Sequence, residues 1–354
     1  MSKFFSDKQR ALEAYVPGEQ PQDRQYVKLN TNESPFPPSP YAQRLARQAA
    51  GNLNLYCDPE CGTLAAVAAE YFGVSKEQMI FTNGSDEVLN FAFLAFCDDK
   101  TPAVFPDISY GFYLVFARVN GVPYREIPLR DDFTVNPRDY FGAKGTIFLA
   151  NPNAPTGIAL GRKEIEAILK ANPDNVVVID EAYVNFGGET ALPLIGKYDN
   201  LLVTRTFSKS YSLAGGRLGV GFGSPALIAD LRKIKYSTNP YNVNSMTAAA
   251  GVGALVDKEY FEANVAVIKK NRAYLTDELM KRGFMVLPSS ANFIFAKSSD
   301  FPGETLYKKL KENGVLVRYF AKERLTDFVR ITIGTREQTD ILLSRIDKIT
   351  EEKK

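Results

Sequence analysis

The sequence predicts an α/β protein, with a large domain built on a doubly wound, mostly parallel sheet and a smaller α+β domain after it. Three observations carry this. Between about Gly62 and Asp230, short apolar runs alternate with stretches of helical period, as in strand–helix–strand units. Runs such as Val176-Val177-Val178-Ile179 are apolar on both faces, which suits strands sandwiched between helices. After about Val256 the texture changes to a long charged helical stretch followed by mixed strands and helices. The 354 residues are enough for about two domains at roughly 150 residues each.

In chain order, residues 1–30 read as an arm packing against the small domain or a partner chain, 31–255 as the large domain and 256–354 as the small one. The proline-rich stretch Glu33 to Pro40 cannot be regular helix and reads as an extended connector. GTLAAVAAEYF predicts a helix closed by Gly73, MIFT a strand, and SDEVLNFAFLAFC a helix. TPAVF, GTIFLA, NVVVID and NLLVTRTF follow as buried strands. In the small domain, the residues from Asp257 to Gly283 form a long helix and TLYKKLKENG a shorter one. FMVL, NFIFA, VLVRYF and FVRITIG are strands, and a final helix starts at Arg336.

Composition narrows the function. Hydrophobic residues at 45% and charged residues at 24% describe a globular chain. A net charge of +2 leaves no electrostatic footprint for nucleic acid. No apolar run approaches the ~20 residues of a membrane span, and the first residues lack the pattern of a signal peptide. The expectation is a cytoplasmic protein. His is absent, so histidine relays and histidine-containing metal sites are excluded. Three cysteines argue against a disulfide framework. Cys57 and Cys61, four apart and lacking a third ligand, read as packing residues, and no metal is expected.

Open α/β sheets bind ligands at the carboxyl ends of their strands. After MIFT comes Asn83-Gly84-Ser85-Asp86, opening a helix; after TIFLA comes the turn Asn151 to Gly157. Asp180 to Tyr183 follow the third run, and Ser208, Lys209 and then Arg217 follow LLVTRT. A helix N-terminus, a buried carboxylate with a tyrosine, a lysine and an arginine would hold an aromatic, phosphorylated cofactor whose aldehyde condenses with the lysine. Taken singly, Gly84-Ser85 reads as a helix cap, Asp180 as a turn residue, Lys209 as a solvated lysine and Arg217 as an ion-pair partner. Their order and spacing together favour the cofactor.

These segments, with LNTNESPFPP, YCDPECG, SYGFY, NPNAPTG, RTFSKSYSLAGGRLG and VRITIGT, span nearly the whole chain. The sequence resembles the fold-type I pyridoxal-phosphate aminotransferases, and among them the histidinol-phosphate aminotransferase family. The resemblance implies that Lys209 carries pyridoxal 5'-phosphate as an aldimine and moves protons once freed. It implies that Asp180 pairs with the pyridine nitrogen, Tyr183 donates to the phenolate oxygen and Tyr110 stacks on the ring. Gly84, Ser85, Asp86, Thr206, Ser208 and Arg217 would hold the phosphate. Tyr56 would reach the phosphate of a neighbouring subunit, making a homodimer with shared active sites. Arg318 and Arg330 would bind the substrate anion, with Tyr15 and Asn32 beside the substrate. The family's asparagine that bonds the phenolate oxygen aligns with Ala154, and Asn153 comes one residue early.

The expected reaction converts L-histidinol phosphate and 2-oxoglutarate to imidazole-acetol phosphate and glutamate, in histidine biosynthesis. Two rivals share the scaffold: an aromatic amino-acid aminotransferase and a threonine-phosphate decarboxylase. A nicotinamide dehydrogenase is disfavoured, because Gly219, Gly221 and Gly223 lack the spacing of G-x-G-x-x-G.

Overall fold

The computed structural model describes residues 2–6, 10 and 12–353. Positions 1, 7–9 and 11 of the expected arm, and position 354, lie outside the described residues. From Glu13 the arm runs without regular structure to a short strand, β1 (Val27–Lys28). Glu13 pairs with Arg118 at 2.7 Å and Glu19 with Lys311 at 2.6 Å. Arg24 donates to the carbonyls of Lys311 and Glu312 at 2.6 and 3.0 Å. The arm therefore touches both halves of the chain.

The proline-rich connector ends where α1 (Pro40–Ala49) begins, with Pro40 in the first turn and the Ser39 hydroxyl accepting the Ala42 N–H. Then α2 (Gly62–Phe72) closes on Gly73, whose φ of 68° suits glycine. There follow β2 (Met79–Asn83), α3 (Ser85–Phe96), β3 (Ala103–Pro106), α4 (Phe112–Asn120), β4 (Tyr124–Ile127) and β5 (Thr146–Ala150). After these come α5 (Arg162–Ala171), β6 (Val177–Asp180), β7 (Leu201–Thr206), β8 (Leu218–Gly223), α6 (Pro225–Thr238) and α7 (Ser245–Val256).

The strands make one sheet of seven in the order β2-β8-β7-β6-β5-β3-β4, parallel except that β8 runs against both neighbours. Alternation along β6 sends Val177 and Ile179 into a core shared with α1, α2, α5 and α7. It sends Val178 into a core shared with α3, α4 and α6. Both faces are apolar because both are covered.

Two strands of this sheet, β4 and β8, lie outside those expected from the sequence. β4 is an edge strand with Tyr124, Arg125 and Glu126 exposed, so it lacks an apolar alternation. β8 alternates glycine with apolar residues because α3 begins against its backbone. A Cβ on Gly219 would lie 2.3 Å from the Gly84 carbonyl carbon.

The C-terminal part comprises α8 (Lys258–Lys281), β9 (Met285–Val286), β10 (Phe293–Lys297), α9 (Gly303–Glu312), β11 (Val315–Leu316), β12 (Arg318–Tyr319), β13 (Phe328–Thr332) and α10 (Arg336–Glu351). Its antiparallel sheet runs β12-β13-β10-β9. VLVRYF, expected as one strand, divides at Val317. β11 pairs in parallel with β1 of the arm, whereas Arg318 and Tyr319 pair with Arg330 and Val329. One hydrophobic core joins α8, α9 and α10 to this sheet and extends to Ala154 and Tyr183, at the carboxyl edge of the large sheet. No helix among the described residues is long and apolar enough to cross a membrane.

Candidate active site

The parallel strands deliver their polar residues to one side of the large sheet. β2 leads into Ser85 and Asp86 at the start of α3, β6 ends in Asp180, and β7 ends in Thr206 with Ser208 and Lys209 just beyond. These residues, with Tyr110, Tyr183 and Arg217, line a cavity of about 100 Å³. Tyr110, Ala154, Tyr183 and Lys209 also line a second cavity of about 420 Å³, which continues to Tyr15, Asn32, Arg318 and Arg330. All the expected site residues but two line this pair of cavities. Gly84 lies just behind as the N-cap of α3, where a Cβ would meet the Arg217 guanidinium at 2.6 Å. Tyr56 lines neither cavity, is 85% exposed, and stacks on Tyr241 at 4.6 Å.

Asp180 is buried, and its carboxylate has no cationic partner among the described residues. The Tyr113 hydroxyl and the Ala182 N–H donate to it, each at 3.2 Å. Burial, reinforced by the Asp86 charge, pushes its carboxyl up to about 7. The next residue, Glu181, enters a buried ion pair with Arg205 of β7 at 2.8 Å, which ties the ends of two central strands together.

At the opposite end, Arg217 has φ 51°, a left-handed conformation that a non-glycine residue holds only when its surroundings impose it. Its guanidinium reaches Asp86 at 3.2 Å and the Ser208 hydroxyl at 3.4 Å, beside the first turn of α3. Helix N-termini offer unpaired N–H groups and a favourable dipole to an anion. Tyr110 forms the wall between, its hydroxyl donating to Asp86 at 2.7 Å. Burial, with Asp86 adding to it, holds the Tyr110 phenol well above its ordinary value.

Lys209 Nζ makes one 3.4 Å contact with the Thr31 carbonyl and lies 5.9 Å from the Tyr183 ring centre. Tyr183 packs edge-on against Phe293 at 5.0 Å. In the larger cavity, Arg330 donates from Nη2 to the Asn30 carbonyl at 2.9 Å, while its Nε is shut from solvent without a partner. Phe293 and Phe320 flank its guanidinium at 5.3 and 5.5 Å. Arg318 is held by the arm, donating to the carbonyls of Val16 and Pro17 at 2.9 and 3.0 Å. Tyr15 packs on Phe112 at 4.4 Å.

The departure at Ala154 is real in three dimensions. Its methyl group lines both cavities. Asn153 faces away, donating to the Ile108 carbonyl and the Thr156 hydroxyl and accepting from Ser109. Cys57, Cys61 and Cys97 are free thiols, and burial pushes Cys61 up to about 11.

Sequence reasoning missed Tyr113, Arg205 and Thr332. Tyr113 lies in the first turn of α4, just after the Tyr110 that the sequence did single out. Arg205 and Thr332 carry no local signal, because strand pairing sets the Glu181–Arg205 ion pair and chain contact from the arm sets the bonds of Thr332 to Asn32 at 3.0 and 3.1 Å.

The residues present fit pyridoxal phosphate. A buried carboxylate without a cation suits a protonated ring nitrogen, an arginine at a helix N-terminus suits a phosphate, and Lys209 opens into the cavity between them.

A family model for aminotransferase class I and II matches residues 24–346. The histidinol-phosphate aminotransferase 1 of Pseudomonas fluorescens is 46% identical over 350 residues, covering 99% of this chain and 100% of that one. The histidinol-phosphate aminotransferase of Brachyspira hyodysenteriae is 45% identical, covering 99% of each. Among solved structures, the histidinol-phosphate aminotransferase of Sinorhizobium meliloti in complex with pyridoxal-5'-phosphate superposes with a TM-score of 0.90 at 23% identity, covering 100% of this chain and 99% of that one. The L-threonine-O-3-phosphate decarboxylase of Porphyromonas gingivalis superposes at 0.79 with 23% identity, covering 92% and 99%. At those identities the structures show the shared fold.

Proposed function

The chain belongs to the class I and II aminotransferases, and from that membership we propose that it makes imidazole-acetol phosphate and glutamate from L-histidinol phosphate and 2-oxoglutarate. Its cofactor is pyridoxal 5'-phosphate, carried on Lys209. The observation supporting this most strongly is that Lys209 lines both cavities, with Asp180 and Arg217 in one and Arg330 in the other. The names of the relatives at 46% and 45% identity support the substrate.

When bound, pyridoxal phosphate supplies an electron sink that makes the substrate Cα–H acidic. Lys209 would tether it covalently and, as a free amine, would take up and return the substrate Cα proton through Nζ. Asp180 holds a proton on the ring nitrogen, and Tyr183 donates to the phenolate oxygen. Arg217, Ser208, Thr206 and the first turn of α3 grip the phosphate. Tyr110 closes one face of the ring. Arg330 and Arg318 take the anion of either amino donor, the phosphate monoester of histidinol phosphate or the carboxylate of glutamate. One arginine site thereby serves both halves of a ping-pong cycle, with Tyr15 and Asn32 beside the substrate.

The same reading makes the protein a homodimer in which Tyr56 completes the phosphate site of the neighbouring subunit. Its exposure, with Leu53 and Leu55 also exposed nearby, supports this. The reading also places the protein in the cytoplasm, which a phosphorylated substrate that does not cross a membrane unaided supports.

The test is a rate comparison in purified protein with saturating 2-oxoglutarate. Glutamate formation should be far faster with L-histidinol phosphate than with phenylalanine or tyrosine. Faster turnover of the aromatic amino acids, or carbon dioxide release from threonine phosphate without a keto acid, would replace this reading with a rival.

A further inference from the structure

We propose that Asn32, held by Thr332, is a positioning residue that turns the Tyr183 hydroxyl proton into the cofactor cavity. The proposal rests on the functional reading above, because it needs an acceptor in that cavity.

Three hydrogen bonds carry the inference. Asn32 Nδ2 donates to the Tyr183 hydroxyl oxygen at 3.0 Å. Thr332 Oγ1 accepts the Asn32 backbone N–H at 3.0 Å and donates to Asn32 Oδ1 at 3.1 Å. Thr332 thereby holds Oδ1 and leaves Nδ2 facing the tyrosine. The Asn32 carbonyl is fixed as well, accepting from Asn292 Nδ2 at 3.0 Å. Asn32 and Thr332 are both buried, and Asn32 has φ 55°, a conformation asparagine tolerates better than most residues.

A tyrosine oxygen that accepts from an amide must direct its own proton elsewhere. Among the described residues the Tyr183 hydroxyl donates to none. Tyr183 lines both cavities beside Lys209, so its proton is available to a ligand there. The neighbouring wall residue, Ala154, has no donor, and Asn153 is committed elsewhere. Tyr183 is thus the polar donor left at this wall, and its orientation depends on Asn32.

The clamp also reaches across the molecule. Thr332 and Arg330 are two residues apart on β13 and share a face of the strand. Asn32 belongs to the segment that follows β1, whose Leu29 carbonyl accepts from the Thr332 N–H at 2.9 Å. The strand that presents the substrate-side arginine therefore also sets the tyrosine.

The test uses the full-length protein loaded with pyridoxal phosphate, without substrate, and follows the lysine-bound cofactor absorbance against pH. A hydrogen bond to the phenolate oxygen lowers the pH at which this band titrates. Asn32→Ala should therefore raise the midpoint by about half a unit to one unit. Asn32→Asp should raise it further, because a carboxylate would take the Tyr183 proton. Thr332→Val, a milder change that keeps the side-chain shape, should raise it in the same direction. In a Tyr183→Phe background, Asn32→Ala should add nothing. Unchanged midpoints in Asn32→Ala and Thr332→Val, with only KM for the amino donor raised, would overturn the proposal and leave Asn32 a substrate contact. A full shift persisting in the Tyr183→Phe background would also overturn it. Absence of any band in the wild-type protein would instead bring down the functional reading, and this inference with it.

Discussion

The Tyr113 hydroxyl meets the Asp180 carboxylate at 3.2 Å, and this is the only side-chain hydrogen bond Asp180 receives among the described residues. It opposes a larger effect. Burial, and then the Asp86 charge, raise the carboxyl from 3.8 to about 7, whereas the bonds from Tyr113 and Ala182 lower it. Without a cationic partner the site thus favours the protonated form of this carboxyl over its charge.

That arrangement fixes the sign of a pH dependence. A carboxyl whose folded pKa is raised contributes stability below its unfolded pKa and loses it as pH rises through the folded value. Cofactor-free protein should therefore become less stable between about pH 4 and about pH 7 on account of Asp180. Asp180→Asn should remove this component, so its melting temperature should gain on the wild type as pH rises from about 4 to about 7. Parallel melting curves across that range would show that Asp180 is not destabilised by burial. Added cofactor should reverse the order, stabilising the wild type more than Asp180→Asn.

Arg330 has a solvent-shielded Nε without a partner, and burial lowers its pKa. Arg330→Ala should raise KM for the amino donor by about ten- to a hundred-fold, the range for a lost hydrogen bond to a charged group. Steady-state kinetics with L-histidinol phosphate would check this, alongside a cofactor affinity expected to stay near that of the wild type.

Ala154 offers a methyl group where the resemblance expects an asparagine. Ala154→Asn should supply a second donor at that wall and tighten cofactor binding by up to about ten-fold. Equilibrium titration of cofactor-free protein would measure it. Weaker binding would mean that the cavity is shaped around the methyl group.

Tyr56, exposed and outside both cavities, gives a complementation test. Tyr56→Ala and Lys209→Ala proteins, each expected to have little activity, should recover it when unfolded and refolded together. Roughly a quarter of all sites would then combine Lys209 with Tyr56 from the other chain. No recovery would mean that Tyr56 serves its own chain or no site at all.

The parts legible in the sequence were those set by local pattern. Two-faced apolar strands such as Val177–Asp180 announce a covered sheet, and the polar residues after them mark its carboxyl edge. Other features arise only from tertiary pairing. β8 reads as a glycine cluster because its meaning lies in the close approach of α3. VLVRYF splits because the arm takes Val315 and Leu316 while β13 takes Arg318 and Tyr319. Asn32 was legible as a residue near the substrate, yet its bond to Tyr183 joins positions 151 residues apart.

The most direct test of the central claim is an absorbance spectrum of the purified protein with pyridoxal phosphate, read before and after adding L-histidinol phosphate, with Lys209→Ala as control. The account predicts a visible band of lysine-bound cofactor in the wild type alone. The band should vanish as histidinol phosphate aminates the cofactor and return on addition of 2-oxoglutarate. A wild-type spectrum matching that of Lys209→Ala after free cofactor is removed would contradict it.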